Sequence, residues 1–272
     1  MSGKDPLEQS LGSGFHGPPA PGRRFGRYEI VAPLGSGANG TVFRARVVGV
    51  EHEVALKVLH APSLDADSLE RFRREALLAA RVRHRGIVPV HDAGEVNGIP
   101  YVAMGLVAGM SLAQLEVDQE QYLRVLAKVA RAVGAAHRAG VVHRDLKPTN
   151  VIVDGRTLEP VVVDFGLAFD ARHELTRLSK TGEVLGTPAY MAPETIRGKA
   201  RPDDPRLDVY ALGLMLHQRL SRGYPFTGRT LAVLLEQIVR GVPPLPRAVT
   251  PWLADLARRA CALDPEKRPS SG

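Results

Sequence analysis

The chain has a single cysteine, Cys261, among 272 residues. An internal disulfide is therefore excluded, and such sparse cysteine fits a reducing cytoplasm. Cys261 lies in an apolar, helix-like stretch (252–263), so core packing is the expected role of its thiol. Zinc-ligand spacing, a helix-turn-helix pattern and an aromatic stacking motif are all missing. The net charge of +7 is therefore not read as a nucleic-acid footprint. It is mostly arginine, concentrated over 71–85, and reads as a solvated helix face together with phosphate chemistry. No run of about 18 uncharged apolar residues occurs, so no membrane contact is expected within this chain. The first 24 residues lack the charged-then-apolar layout of a signal peptide. Internal repeats are absent as well.

What is present is ordinary globular composition, 44% hydrophobic, in a chain long enough for two lobes sharing one cleft. Residues 1–26 open with Gly, Pro and Ser and no apolar periodicity, which predicts a disordered tail. Strand patterns follow at 28–31, 41–45 and 53–58, then a helix over 69–82 with Phe72, Ala76 and Ala79 on one face. Two further strands are predicted near 88–91 and 101–104. Beyond Gly109 the pattern turns helical. Leu123, Leu126, Val129, Ala130 and Val133 predict a buried stripe, and later helices are predicted at 207–220, 230–240 and 251–263. The expected class is α+β: a small antiparallel sheet with one main helix over 27–104, a hinge at 105–108, and a larger, mostly helical lobe over 109–272.

The chemistry is concentrated in His143-Arg144-Asp145-Leu146-Lys147-Pro148-Thr149-Asn150, with Asp164-Phe165-Gly166 fourteen residues after Asn150. A carboxylate at an attacking hydroxyl and oxygen ligands for magnesium are what phosphoryl transfer from ATP requires. Asp145 meets the first need; Asn150 and Asp164 meet the second. Upstream, Gly35-Ser36-Gly37-Ala38-Asn39-Gly40 matches G-x-G-x-x-G. In a dinucleotide-binding fold a helix would come next; here a β-pattern follows, then a strand carrying Lys57 in Val54-Ala55-Leu56-Lys57. That order favours a hairpin folded over phosphates, where glycine lets backbone amides come close.

Together these motifs resemble the catalytic domain of a eukaryotic-type Ser/Thr protein kinase of the kind found in bacteria. The resemblance runs from about residue 27 to about residue 270 and implies the bilobal protein-kinase fold. It implies Asp145 as catalytic base and Lys147 as the cation that marks Ser/Thr specificity and stabilises the transferred group. Lys57 would grip the α and β phosphates, held by Glu75, with Glu70 the alternative. Leu34, Val42, Ala55 and Ile152 would wall the adenine, with Met104 as gatekeeper and backbone groups of Gly105 and Val107 bonding the base. Gly105 departs from the acidic residue common there, which puts hinge stiffness in question.

The resemblance further implies an activation segment between Asp164 and Glu194, ending in Ala192-Pro193-Glu194. Arg144 would bind a phosphate on it, at Ser179 or Thr181, with Thr176 a weaker candidate. Thr187 would contact Asp145 and Lys147 and favour Ser or Thr acceptors. Glu194 would pair with Arg268, and Asp208 would brace the catalytic loop. The implied cofactors are ATP and Mg2+, with Mn2+ able to substitute; the implied partners are proteins with Ser/Thr acceptors and a second copy for trans-autophosphorylation. Relatives carry one more helix after Gly272, so a membrane tether beyond it is compatible with the sequence. The alternative is a nucleotide-binding pseudokinase scaffold, disfavoured because Lys57, Asp145 and Asp164 are all present. Antibiotic-type phosphotransferases share the Asp and Asn but lack the Ala-Pro-Glu ending.

Overall fold

The computed structural model describes residues 19–37, 40–60, 66–165, 188–228 and 230–270, without the side chains of 66–69 and 71. A six-stranded antiparallel sheet forms the N-terminal lobe. Its strands are β1 (Arg24–Phe25), β2 (Tyr28–Gly37), β3 (Gly40–Val47), β4 (Glu53–Leu59), β5 (Val90–Val96) and β6 (Ile99–Gly105), in the spatial order β1-β2-β3-β4-β6-β5. Helix α1 (Ala66–Ala80) packs on one face. Alternation along β4 decides which side chain goes where. Val54, Leu56 and Val58 join Tyr28, Ile30 and Phe43 on one side. Ala55 and Leu59 join Phe72 and Ala76 of α1 on the other. Lys57 lies between these last two on β4, so the pleat delivers its amine to the helix-covered side.

Two expectations shift here. The tail was expected to reach residue 26, yet Arg24 and Phe25 pair with Glu29 and Tyr28, and Phe25 is buried. A two-residue strand has no periodicity to read; its aromatic side chain and the hairpin beside it hold it. Residues 1–18 of that tail lie outside the described residues. The strand expected near 88–91 instead spans Val90–Val96, with a bulge between Val90 and Asp92. The tyrosines of two other strands account for the polar Asp92 there. Tyr28 and Tyr101 each donate a hydroxyl to Asp92 Oδ2 at 2.8 Å, and Arg27 pairs with the same oxygen at 2.9 Å. Burial pushes the Tyr28 phenol up to about 12, so it stays a donor at neutral pH.

The second lobe begins with β7 (Met110–Ser111), which pairs with β8 (Val151–Val153), itself paired with β9 (Pro160–Val162). Its helices are α2 (Gln119–Arg138), α3 (Pro193–Ile196), α4 (Arg206–Ser221), α5 (Leu231–Arg240) and α6 (Pro251–Ala260). An Asp118–Gln121 capping box starts α2, each side chain serving the other's backbone amide. The buried stripe of α2 runs through Tyr122, Val125, Leu126, Val129, Val133 and Ala136; Ala130, expected inside, is exposed and Leu123 only half-buried. Helix α4 is buried nearly all round, through residues such as Tyr210, Leu214 and Met215. It forms the axis against which α2 and α6 pack. Cys261 caps α6 and is buried; that burial pushes its thiol up to about 12, leaving it neutral and inert. No helix among the described residues is long and apolar enough to cross a membrane.

Candidate active site

The cleft between the lobes encloses about 1220 Å³. Its floor is set from below by Asp208, in the first turn of α4 and almost fully buried. The Asp208 carboxylate accepts the His143 amide (2.8 Å, Oδ2), the Arg144 amide (2.8 Å, Oδ1) and His137 Nε2 (2.7 Å, Oδ2). Three bonds to one buried carboxylate hold Arg144 at φ 67, a left-handed conformation costing a non-glycine residue about 1 kcal/mol. The expectation that Asp208 braces this loop through backbone hydrogen bonds matches the observed contacts. His137 escaped sequence reasoning. Its signal is a polar residue four positions after Val133 on the buried stripe of α2, a place that demands a polar partner.

His143 links this loop to the next one. Its Nε2 donates to the Val163 carbonyl at 2.9 Å, and its Nδ1 accepts the Asp145 amide at 3.3 Å, which defines the neutral tautomer. The ring also packs on Phe165, 4.7 Å between centroids. Asp145 and Asp164 are thereby positioned by one buried imidazole.

Asp145 is bridged by Lys147 Nζ at 2.8 and 3.0 Å. A short 3-10 turn, Pro148–Asn150, folds Asn150 back so that Nδ2 donates to the Asp145 carbonyl at 2.8 Å and approaches its Oδ2 at 3.3 Å. Across the cleft, Lys57 Nζ meets Asp164 Oδ2 at 2.9 Å, with Asp164 itself left-handed at φ 65. Glycine turn and floor enclose one space: Gly35, Ser36, Gly37, Gly40 and Val42 line it opposite Asp145 and Asn150. The turn is a hairpin rather than a break after residue 31, because β2 continues to Gly37, which pairs with Gly40. A Cβ on Gly40 would lie 2.5 Å from the Val58 carbonyl oxygen, so only glycine fits. Ala38 and Asn39 lie outside the described residues.

The expected Lys57–Glu75 pair is not what the structure contains. Glu75 is bound by Arg144 Nη1 at 2.6 Å, and Arg144 Nε is held by the Pro202 carbonyl at 2.8 Å. The left-handed turn at Asp164 presents its carboxylate to Lys57. Glu75 then takes the permanently charged guanidinium beside it. Glu70, the alternative, is exposed.

Val42, Ala55, Met104 and Val107 belong to one apolar cluster with Val161 and Val163, as an adenine wall would require. Ile152 sits on β8, half-buried, opposite Val161, whereas Leu34 is 52% exposed on β2. Gly105 is not the loose hinge its lack of a side chain suggests. It ends β6 paired with Val54, its amide donates to the Pro89 carbonyl at 2.9 Å, and an added Cβ would meet Pro89 at 3.1 Å. Its amide is thus taken, and only its carbonyl is left for an adenine.

Farther from the cleft, Arg268 grips Glu194 with both guanidinium arms (2.6 and 2.8 Å), both side chains buried. Arg268 also donates to the Ala262 and Arg206 carbonyls and lies 4.9 Å over the Tyr210 ring. Gly166, Thr176, Ser179, Thr181 and Thr187 lie outside the described residues.

Residues 28–272 match the protein kinase domain family. The chain is 36% identical over 263 residues to the serine/threonine-protein kinase pkn3 of Myxococcus xanthus, covering 90% of this chain and 48% of that protein. It is 39% identical over 260 residues to the DNA damage-responsive serine/threonine-protein kinase RqkA of Deinococcus radiodurans, covering 91% and 38%. It thus spans half or less of the length of these relatives. Among solved structures, the PknI kinase domain of Mycobacterium tuberculosis (C20A mutant) superposes with a TM-score of 0.71 at 32% identity, over 92% of this chain and 93% of that one. With its cleft, its buried carboxylate brace and its Glu194–Arg268 clamp, this chain belongs to the protein kinase domain family.

Proposed function

We propose that this chain transfers the γ-phosphoryl group of ATP to Ser or Thr hydroxyls of proteins. The observation that carries the reading is Asp145, bridged by Lys147 and tied to Asn150 in the cleft facing the glycine hairpin. Asp145 orients the acceptor hydroxyl and takes its proton late. Because the transition state is loose, positioning contributes more than basicity. Lys147 stabilises charge on the moving group. Lys57 holds the α and β phosphates, and the Gly105 carbonyl and Val107 backbone hold the adenine against Leu34, Val42, Ala55, Met104 and Ile152.

The donor set fits a divalent cation. Asn150 spends its amide nitrogen on Asp145, which leaves Oδ1 as an oxygen ligand, and Asp164 has one carboxylate oxygen beyond the one on Lys57. We assign Mg2+, with Mn2+ as a substitute. When bound, the ion neutralises charge on the phosphates.

Two ion pairs stand between this arrangement and turnover. Lys57 and Asp164 must part for the nucleotide, and Glu75 is occupied by Arg144. In this reading a phosphate on Ser179 or Thr181 draws Arg144 away, Glu75 turns to Lys57, and Thr187 docks on Asp145 and Lys147. Two copies of the chain, acting on each other in the cytoplasm, would place that phosphate.

Mass spectrometry after incubation with ATP and Mg2+ tests the proposal. Phosphate is expected on Ser179 or Thr181 of the wild type and on neither Asp145→Asn nor Lys57→Met. No phosphate on the protein or on a generic acceptor would overturn it.

A further inference from the structure

The cleft does not end at the catalytic charges. It continues to the N-terminal turn of α2, at Gln119 and Tyr122, and to the C-terminal end of α4. Two arginines line that end, Arg219 in the last turn of α4 and Arg222 at its cap. Among the described residues, the carboxylates lining the cleft are Asp145 and Asp164, and each already faces a lysine, at 2.8 and 2.9 Å. Arg219 and Arg222 are therefore a surplus of two positive charges, with no carboxylate partner among the described residues.

Arg219 is held without being neutralised. Its guanidinium donates to the Val117 carbonyl and lies 4.9 Å over the Tyr122 ring. A carbonyl and a ring face orient a cation but leave its charge available. The described acids nearby are otherwise engaged: Asp118 caps α2 by accepting the Gln121 amide at 2.8 Å, and Glu120 pairs with Arg124 at 2.5 Å. Glu116 is exposed and does not line the cleft. Gln218, beside Arg219, is neutral and bonded to the Tyr190 hydroxyl at 2.5 Å. Arg222 adopts φ 57, the left-handed conformation at which helices usually end in glycine. An arginine there adds charge to the cleft at a conformational cost.

We propose that this end of the cleft receives anionic side chains flanking the acceptor Ser or Thr, making the chain selective for acidic protein segments. The inference rests on the kinase reading above and deepens it. The anion recognised is a carboxylate or a phosphoester already on the substrate.

The test measures kcat/KM of the full chain on peptides with one Thr, flanked on either side by Glu, phosphoserine, Gln or Lys. The wild type should take the Glu or phosphoserine peptides about tenfold better than the Gln peptide, as two partly exposed charge pairs would give. The Lys peptide should be poorest. The Glu-to-Gln ratio should fall toward one in Arg222→Gly and further in Arg219→Gln/Arg222→Gly. Arg222→Gly suits the left-handed position, so a Tm that does not fall separates lost recognition from lost folding. Preference for phosphoserine with none for Glu would support a phosphoester as the source; preference for both would support any acidic segment. Equal use of all four peptides would overturn this inference alone. An unchanged ratio in the variants with a raised KM for ATP would overturn it by assigning the arginines to the nucleotide. Transfer to no peptide would overturn the kinase reading and this inference with it.

Discussion

The Glu194–Arg268 pair and the Lys57–Asp164 and Glu75–Arg144 pairs are built from the same chemistry and serve opposite ends. Glu194 and Arg268 meet through two parallel bonds, out of water, with the remaining guanidinium donors on carbonyls. Among the described residues neither makes a second ion pair, so the pair is a permanent clamp between the Ala-Pro-Glu segment and the residues after α6. By contrast, Lys57–Asp164 and Glu75–Arg144 each touch through one bond, and Glu75 and Arg144 are partly exposed. Two cations beside two carboxylates can exchange partners with little net change in charge. A pair saturated by two bonds holds a fold; singly bonded pairs beside alternative partners are able to switch.

The largest effect should come from the clamp. Arg268→Ala leaves Glu194 buried and unpaired and is expected to lower stability by about 3–5 kcal/mol, read from urea unfolding. Glu194→Gln/Arg268→Met should recover part of that loss, since the penalty lies in the orphaned charge. Full recovery is not expected, because the carbonyl contacts of Arg268 are also lost.

Glu75→Gln should do the reverse. Its partly exposed pair contributes at most about 1 kcal/mol to stability, so the unfolding midpoint should barely move. Activity of the phosphorylated protein should fall by about tenfold or more in kcat/KM, as Lys57 loses the partner proposed for the active state. A large loss of stability with full activity would place Glu75 with the clamp and erase the contrast.

At the junction of the lobes, Gly105→Ala pushes a Cβ to 3.1 Å from Pro89. A loss of about 1 kcal/mol is expected. An unchanged Tm would mean that Pro89 yields and that this junction belongs to the adaptable side.

The smallest effect concerns the buried side again. His217 is buried and donates Nε2–H to the Pro243 carbonyl at 2.8 Å. Burial lowers its pKa, against the opposing pull of that hydrogen bond. The unfolded ring takes up a proton near its ordinary value of about 6.5 while the folded ring does not. Stability is therefore lost as pH falls below that value, by roughly 1 kcal/mol per unit until the folded ring also titrates. His217→Gln should flatten the slope of the urea midpoint between pH 7 and 5.5.

Much of this was legible beforehand. The glycine turn, Lys57, the Asp145–Asn150 spacing and Asp164 are short-range patterns, and each of their described residues lines the cleft. Helix boundaries follow apolar spacing to within about three residues at both α1 and α6. Less legible were features whose partners lie far away in sequence. The place of β5 depends on tyrosines of two other strands reaching Asp92. Gly105 reads as flexible until Pro89 is seen against it.

Sequence alone determined which residues are proposed to carry the chemistry, because local spacing places a carboxylate, an amide and an ammonium on one loop whatever surrounds it. Tertiary structure alone decided which charges meet. Lys57 has Asp164 rather than Glu75, and Arg144 has Glu75, because partner choice depends on distances set by two lobes and a left-handed turn. It also decided that Arg219 and Arg222, unremarkable along α4, stand at the end of the cleft without a carboxylate partner among the described residues. A sum of charges can be counted along a chain, but their compensation exists only in space.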